Sequence, residues 1–478
     1  MRPSQPELLP QGGWSRLLEA WRQRWSAPGG CRELVRLSWP LILSNSVWTL
    51  QITLDRIFLS WQGGDSVGAA MAAVMLFWTP LALLQSTASY ATTFVAQYVG
   101  AGRPERVGPV IWQAFYFSLA GGAAFLGLYP FAEQLVALGG HSAHMQGLEA
   151  AFFRCLCFSA LPTLITAATT SFFTGRGDSR TVLTINVTGL VVNGLLDYAL
   201  IFGNWGFPAL GIVGAGWATV GGTSTSALVS VVVLLRARYR KEFATLAGWR
   251  FDRELFGRLL RYGVPSGMQW ALDALAFTAF LSFIGRLGDA ELAASSIAFT
   301  LNMVAFLPSI GLSQGVAVLV GQRLGEDRAD LAERTTWTGF RIAWSYMALV
   351  ALLYVLCPGV FVMPFRSGIH SELEAKVMAL VPVLLRFVAL YSLFDSMNTV
   401  FAFALKGAGD TLFVTLLSLG MAWPIMVLPT WAVWYFGWGL GWAWTFASAY
   451  IISLAWMLLL RFRAGKWKTM RVIEVPSE

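Results

Sequence analysis

The sequence predicts an all-α polytopic membrane protein: 12 transmembrane helices in two six-helix bundles related by a parallel internal repeat. Three observations predict it. Of the 478 residues, 56% are hydrophobic and 13% charged, about half the charged share of about 25% found in soluble proteins. Apolar runs long enough to cross about 30 Å of hydrocarbon recur along the chain. The two halves of the chain also share identical residues at steady offsets.

The apolar runs fall at 34–60, 67–97, 110–132, 149–174, 181–203 and 211–235, then at 259–284, 291–320, 337–362, 374–405, 411–434 and 437–460. Six lie before a basic stretch and six after it. This divides the chain into an N-tail (1–33), an N-lobe (34–235), a basic linker (236–258), a C-lobe (259–460) and a C-tail (461–478). Several runs exceed the roughly 20 residues of one crossing, so tilted or kinked helices are expected. Pro40, Pro80, Pro162, Pro265, Pro308 and Pro424 supply the kink points, since each removes a backbone donor and clashes with the preceding turn.

Charge placement sets the orientation. With both ends inside, 27 Lys and Arg residues fall in the tails, the linker and the loops on their side, including Lys406. The opposite loops hold only Arg286, Arg366 and Lys376. The expectation is a multi-pass protein of the plasma (inner) membrane with both termini cytoplasmic. The net charge of +8 then reports topology and contact with anionic lipids rather than nucleic-acid binding.

The four cysteines (Cys31, Cys155, Cys157, Cys357) form no disulfide framework, and three histidines are too few for a His-based metal centre. A membrane-embedded enzyme would need a clustered nucleophile, base or metal-ligand set, and the reading is that the chain is not an enzyme and carries no cofactor. No apolar signal-peptide core is visible in the first 30 residues. Trp14, Leu17, Leu18, Trp21 and Trp25 recur there at helical spacing among Arg16, Glu19, Arg22 and Arg24, which predicts an amphipathic helix lying on the membrane surface.

The repeat is read from identities at a steady offset. Pro40 and Pro265, Arg36 and Arg261, Val95 and Val320, Gln97 and Gln322, and Gly100 and Gly325 each lie 225 apart. From the fourth helix of each half the offset becomes 232: Arg154 and Arg386, Gly175 and Gly407, Gly177 and Gly409, Asp178 and Asp410. An even number of spans per half gives both the same orientation. The symmetry axis therefore runs along the membrane normal, with a substrate cavity expected between the halves. One chain supplies both halves, so a monomer suffices.

Ionisable residues inside the runs are few. Arg154 and Arg386 sit near one membrane face, where they can snorkel or bind carbonyls. Arg56 follows Asp55 directly and points about 100° away from it on a helix. Four acids remain: Asp55 and Asp197 in the first half, Asp273 and Asp395 in the second. An ionised Asp at mid-membrane costs about 2.5–3.5 kcal/mol on insertion scales, so each is a candidate for binding a proton, Na⁺ or a cationic substrate. Asn193 lies one turn before Asp197 and Thr219 in the next helix. Carboxylate, amide and hydroxyl oxygens are hard ligands suited to Na⁺ or H⁺ rather than a soft metal.

At these residues the sequence resembles the multidrug and toxic compound extrusion (MATE) family of secondary transporters. The matching stretches are Trp39-Pro40 leading to Leu54-Asp55, residues 96–102 (AQYVGAG), Asn193 to Asp197 through Gly203, and residues 208–219 (PALGIVGAGWAT). In the second half they are residues 263–265 (GVP), 321–325 (GQRLG) and 405–410 (LKGAGD). The resemblance implies a V-shaped pair of bundles that alternates between outward and inward access and exports cationic or amphipathic compounds in exchange for Na⁺ or H⁺. It implies a cation site at Asp55, Asn193, Asp197 and Thr219, and a cation or substrate role for Asp273 and Asp395, the helix 7 and helix 10 acids of the NorM-like branch. NorM-like and DinF-like features are mixed, so the resemblance does not choose the coupling ion. The partners implied are a small-molecule cationic or amphipathic substrate and membrane lipids.

The resulting expectation is antiport. A cation bound in the first-half site favours a helix 1 bent at Pro40, with Pro265 as the equivalent hinge, and so lowers affinity for the exported compound. Trp270, Phe277, Phe280 and Trp423 are candidate cavity aromatics for flat cations. The alternative, a lipid-linked saccharide flippase of the same superfamily, handles an anionic head group and would call for cavity arginines and lysines where acids predominate.

Overall fold

The structure is a computed structural model that describes residues 25, 27–365 and 372–474. The expected N-tail surface helix, apart from Trp25, lies outside the described residues. Twelve long helices run in order: α1 Cys31–Gln62, α2 Gly64–Gly100, α3 Val107–Leu128, α4 Ala143–Gly175, α5 Ser179–Phe202 and α6 Ile212–Leu234. The second set is α7 Arg253–Gly285, α8 Asp289–Gly325, α9 Ala329–Leu356, α10 Glu372–Ala408, α11 Thr411–Phe436 and α12 Leu440–Arg463.

Among the described residues, eleven helices are both long and apolar enough to cross a membrane by composition, all of α2–α12. Helix α1 has the length, at 32 residues, but Arg32, Glu33, Arg36, Asp55 and Arg56 dilute its apolar character. Its polarity marks it as a helix that faces more than lipid. Pro40, Pro80, Pro162, Pro265 and Pro308 all lie inside helices, as does Pro382. Around Pro424 the helix α11 widens into a π-helical segment, Ala422–Val427, the adjustment that absorbs a missing i→i−4 hydrogen bond.

Local sequence sets the ends. The Asp178 carboxylate accepts from the Thr181 backbone N–H at 3.4 Å and from its hydroxyl at 2.8 Å, capping α5. Asp252 accepts from the N–H groups of Glu254 and Leu255 at 3.0 Å each, capping α7. Gly203 closes α5 in the left-handed region at φ 76°. The basic linker is folded: Ala237–Glu242 is helical, and the Arg176 guanidinium sits over the rings of Phe172, Tyr239 and Phe243 at 4.8, 4.8 and 4.3 Å.

The two halves meet at the end of the bundle that carries the linker, here called the basic end. The Gln97 amide of α2 donates to the Gly407 carbonyl of α10 at 3.1 Å, and the Gln322 amide of α8 donates to the Gly175 carbonyl of α4 at 2.8 Å. These four residues are the repeat pairs of the sequence, exchanged across the pseudo-two-fold axis. Between them the α2 and α8 backbones touch. A Cβ at Gly100 would lie 2.0 Å from the Gln322 carbonyl oxygen, and one at Gly325 would lie 2.2 Å from the Gln97 oxygen. Further contacts follow the same pattern. Gly311 and Gly315 of α8 pack on Ile42 and Ser38 of α1, and Gly263 and Gly267 of α7 pack on Thr87 and Leu83 of α2.

The C-tail crosses this junction. Trp467 is buried and stacks on Phe462 with ring centroids 4.7 Å apart. The Val472 N–H donates to Gln97 Oε1 at 2.9 Å. Glu474 then receives Arg103, Arg106 and Arg258 at 3.1, 2.9 and 2.9 Å and the Tyr98 hydroxyl at 2.5 Å. Burial raises the Glu474 pKa, but the Tyr98 hydroxyl and the arginines outweigh it and hold the carboxyl below the usual glutamate range.

Two outcomes follow from this packing. Gly100→Leu should lower the melting temperature in detergent strongly, because overpacking against a backbone costs about 1–3 kcal/mol or more. Gly420→Leu, whose added Cβ would meet nothing within 4 Å, should change it little; equal effects would contradict the crossing. For Glu474, a depressed folded-state pKa means its stabilisation is fully present above the unfolded glutamate value and lost as pH falls through the folded one. The melting difference between wild type and Glu474→Gln should be present at neutral pH and vanish on acidification below the glutamate range. A difference independent of pH would contradict the ionised contact.

Candidate functional site

The first-half site is built where α1, α5 and α6 converge, and α6 owes its closeness to glycine. A Cβ at Gly222 would lie 2.7 Å from the Asn193 Cβ, and one at Gly189 would lie 2.0 Å from the Ser226 hydroxyl. Helices α5 and α6 therefore run in near backbone contact along the strip that carries Asn193. Thr219 lies one turn from Gly222, and the antiparallel register sets it at the level of Asp197, one turn from Asn193. Its hydroxyl donates to the Ala215 carbonyl at 3.0 Å, which leaves its oxygen lone pairs available.

Asn193 and Asp197 are both 0% exposed. The Asp55 carboxyl group of α1 lies within direct interaction range of the Asp197 carboxyl group. Its neighbour Arg56 points outward and is exposed. Among the described residues, five buried polar atoms here have no hydrogen-bond partner: Asn193 Nδ2 and Oδ1, Asp55 Oδ1, and both carboxyl oxygens of Asp197. Buried polar atoms are normally satisfied, and each exception calls for an explanation. Here four of the five are oxygens on residues that share one site, a hard-donor set with the character of a small cation site.

The second-half acids are placed differently. Asp273 lies on α7 one turn after Gln269, whose amide donates to the Ser418 hydroxyl of α11 at 3.1 Å. Asp395 lies on α10 beside Asn398, and Tyr450 of α12 stands within electrostatic reach of both acids. Lys406, read in the sequence as a loop cation, is the third-last residue of α10 and only 8% exposed. Its side chain stands within electrostatic reach of Asp273, and its backbone carbonyl accepts from the Tyr90 hydroxyl of α2 at 2.7 Å. Helix α10 continues through residues 405–408 into the core, and this draws Lys406 inside. Neither Lys406 nor Tyr450 was foreseeable from periodicity, since one looks like a loop charge and the other like one aromatic among many.

Pro40 and Pro265 are both interior to their helices, where each leaves the carbonyl four residues earlier without its helical donor. The Pro265 carbonyl accepts from the Thr415 hydroxyl of α11 at 2.7 Å. Of the candidate cavity aromatics, Trp270 is 47% and Phe277 37% exposed. Phe280 is corrected: it is fully buried in the second-half core with Ile284 and Trp444, because it falls on the face of α7 turned toward its own bundle. Past the contacts between halves, α1, α2, α7 and α8 carry exposed Trp48, Met75, Trp270 and Met303. Arg154 is held structurally, paired with Glu133 at 2.8 Å and lying over the Tyr129 ring.

A protein-family model described as MatE matches residues 40–199 and 265–431, one segment in each half. A probable multidrug resistance protein NorM of Mesorhizobium japonicum is 29% identical over 92% of this chain and 94% of its own length. Among solved structures, a MATE protein in complex with MaL6 superposes with a TM-score of 0.83 at 22% identity, covering 94% of this chain and 99% of the other. The outward-facing conformation of a multidrug resistance MATE transporter of the MOP superfamily gives 0.83 at 21% identity, covering 94% and 98%. These structures share the fold of two six-helix bundles set in a V. Matched across both halves, with the repeat and the fold to go with it, the chain belongs to the MatE (MATE) family.

Proposed function

We propose that the protein is a secondary active antiporter of the inner membrane that exports cationic or amphipathic organic compounds in exchange for Na⁺ or H⁺. Both termini and the linker lie on the cytoplasmic side, as the Lys and Arg distribution requires. The observation that carries the reading is the set of unpartnered buried oxygens at Asp55, Asn193 and Asp197, with Thr219 beside them. A proton shared by the two carboxyls, or a Na⁺ in contact with these oxygens, relieves both their desolvation and their mutual repulsion.

The site lies on α1, the most polar of the long helices and the one hinged at Pro40. Cation binding draws α1 toward α5 and shifts the equilibrium between two shapes of the first bundle. A compound held between the halves is bound less well in the cation-loaded shape and leaves outward. By linkage, the compound weakens cation binding by the same factor. Asp273 and Asp395 present negative charge to the cleft from the second half, tempered by Lys406. This composition favours cationic cargo and gives no support to an anionic saccharide lipid. The single chain contains both halves, so a monomer is the transporting unit.

Purified protein in liposomes should move a fluorescent organic cation when a Na⁺ or pH gradient is imposed, and one of the two gradients should be more effective. Asp197→Asn should reduce gradient-driven transport by about 10²-fold or more, which corresponds to about 2.7 kcal/mol, with the protein still folded. Undiminished transport by Asp197→Asn would remove the first-half site from the mechanism.

A further inference from the structure

At the basic end, on the outer side of α1, three guanidinium groups converge, with no counter-charge paired to them among the described residues. Arg32 and Arg36 are one turn apart on the same face of α1, and Arg180 reaches the same place from the start of α5. Together with Trp25, Val35 and Trp39 they line a hollow of about 500 Å³. Arg180 lies over the Trp39 ring at 5.9 Å. The nearby acids are committed elsewhere: Glu33 to Arg323 at 2.5 Å and to the Gly29 N–H at 3.0 Å, and Asp178 to Thr181 at 2.8 Å. Among the described residues none of the three arginines is in an ion pair.

Like charges at i and i+4 disfavour a helix, and a third arginine adds to the repulsion. All three would be relieved by one anion. Arg32 also stands in the first turn of a 32-residue helix, where the helix dipole favours negative charge. Guanidinium forks match phosphate oxygens in pairs. The apolar part of the wall specifies more than phosphate: Trp39 is 39%, Val35 36% and Trp25 37% exposed. They stand at the start of a helix that enters the membrane, at the depth where indole rings and headgroups meet.

We infer that this hollow is a binding site for the headgroup of an anionic phospholipid, with the phosphate held by Arg32, Arg36 and Arg180 and the glycerol and first acyl carbons against Trp39 and Val35. A free phosphate would satisfy the charge but leave the apolar wall exposed. A zwitterionic lipid would cover the wall but bring its own cation into the guanidinium cluster. The site sits on the segment of α1 that precedes Pro40, so the bound lipid anchors the stationary end of the hinged helix.

The test is binding of defined lipids to the purified full-length protein in detergent, read by native mass spectrometry. Phosphatidylglycerol should bind at least about tenfold more tightly than phosphatidylcholine, a difference of about 1.4 kcal/mol. That preference should be lost in the triple variant Arg32→Gln, Arg36→Gln, Arg180→Gln, while Arg286→Gln, at the opposite end of the bundle, retains it. Millimolar inorganic phosphate should not displace the lipid. Three results overturn the site: an unchanged preference in the triple variant, equal binding of the two lipids by wild type, or full displacement by inorganic phosphate, which would make it a free-anion site. If the triple variant does not fold, the lipid comparison and the phosphate competition on wild type still decide.

Discussion

The rest of the structure depends on the crossing of α2 and α8 at the basic end. Two glycines, Gly100 and Gly325, let the backbones touch, and two glutamines, Gln97 and Gln322, donate across the axis to Gly407 and Gly175. In a membrane the hydrophobic effect does not drive helices together, and close packing with interhelical hydrogen bonds takes its place. Small residues at the crossing therefore do what a large apolar core does in water. They also confine the junction between halves to one end. Apolar residues such as Trp48, Met75 and Met303 on α1, α2 and α8 remain exposed farther along.

This junction gives the site its mechanical context. Helix α1 is held on both sides of Pro40, by Gly315 of α8 at Ser38 and by Gly311 at Ile42, and its far part carries Asp55; in the proposed antiport Pro40 is the hinge. Helix α5 carries Asn193 and Asp197 inside the first bundle, locked to α6 through Gly222. In the proposed antiport, coupling brings the Asp55 carboxylate of α1 to the Asp197 carboxylate of α5. The unpartnered oxygens are the cost of that arrangement, which in the proposed antiport an incoming cation offsets. The C-tail adds a second fastening of the same end, with Glu474 drawing together arginines of the α2–α3 turn and of α7.

Much of this was legible in the sequence for a specific reason. Apolar runs and proline positions are set by the membrane itself, so the number and order of helices follow from hydropathy. The offsets of 225 and 232 marked Gln97, Gly100, Gly175 and their partners before any contact was known, because the residues that cross a symmetry axis must occur twice. The buried placement of Asn193 and Asp197 was legible because amide and carboxyl groups in hydrocarbon are rare. What was not legible has equally particular causes. Lys406 lies next to a Gly-rich turn and reads as a loop charge, although α10 carries it into the core. Phe280 differs from Phe277 by one helical turn of drift, and only the packing of α7 decides which faces the bundle. Glu474 is one of two acids in a basic tail with no periodicity, so nothing local announces that three arginines from distant segments meet it.

The central claim is that cation and organic cargo compete through the shape of α1. The most direct measurement is reciprocal titration on purified protein: the affinity for Na⁺, or for protons by their release, with and without a saturating organic cation, and the affinity for that cation with and without the ion. The account predicts that each weakens the other by the same factor, on the order of 5–150-fold. Independent, additive binding of ion and organic cation would contradict it.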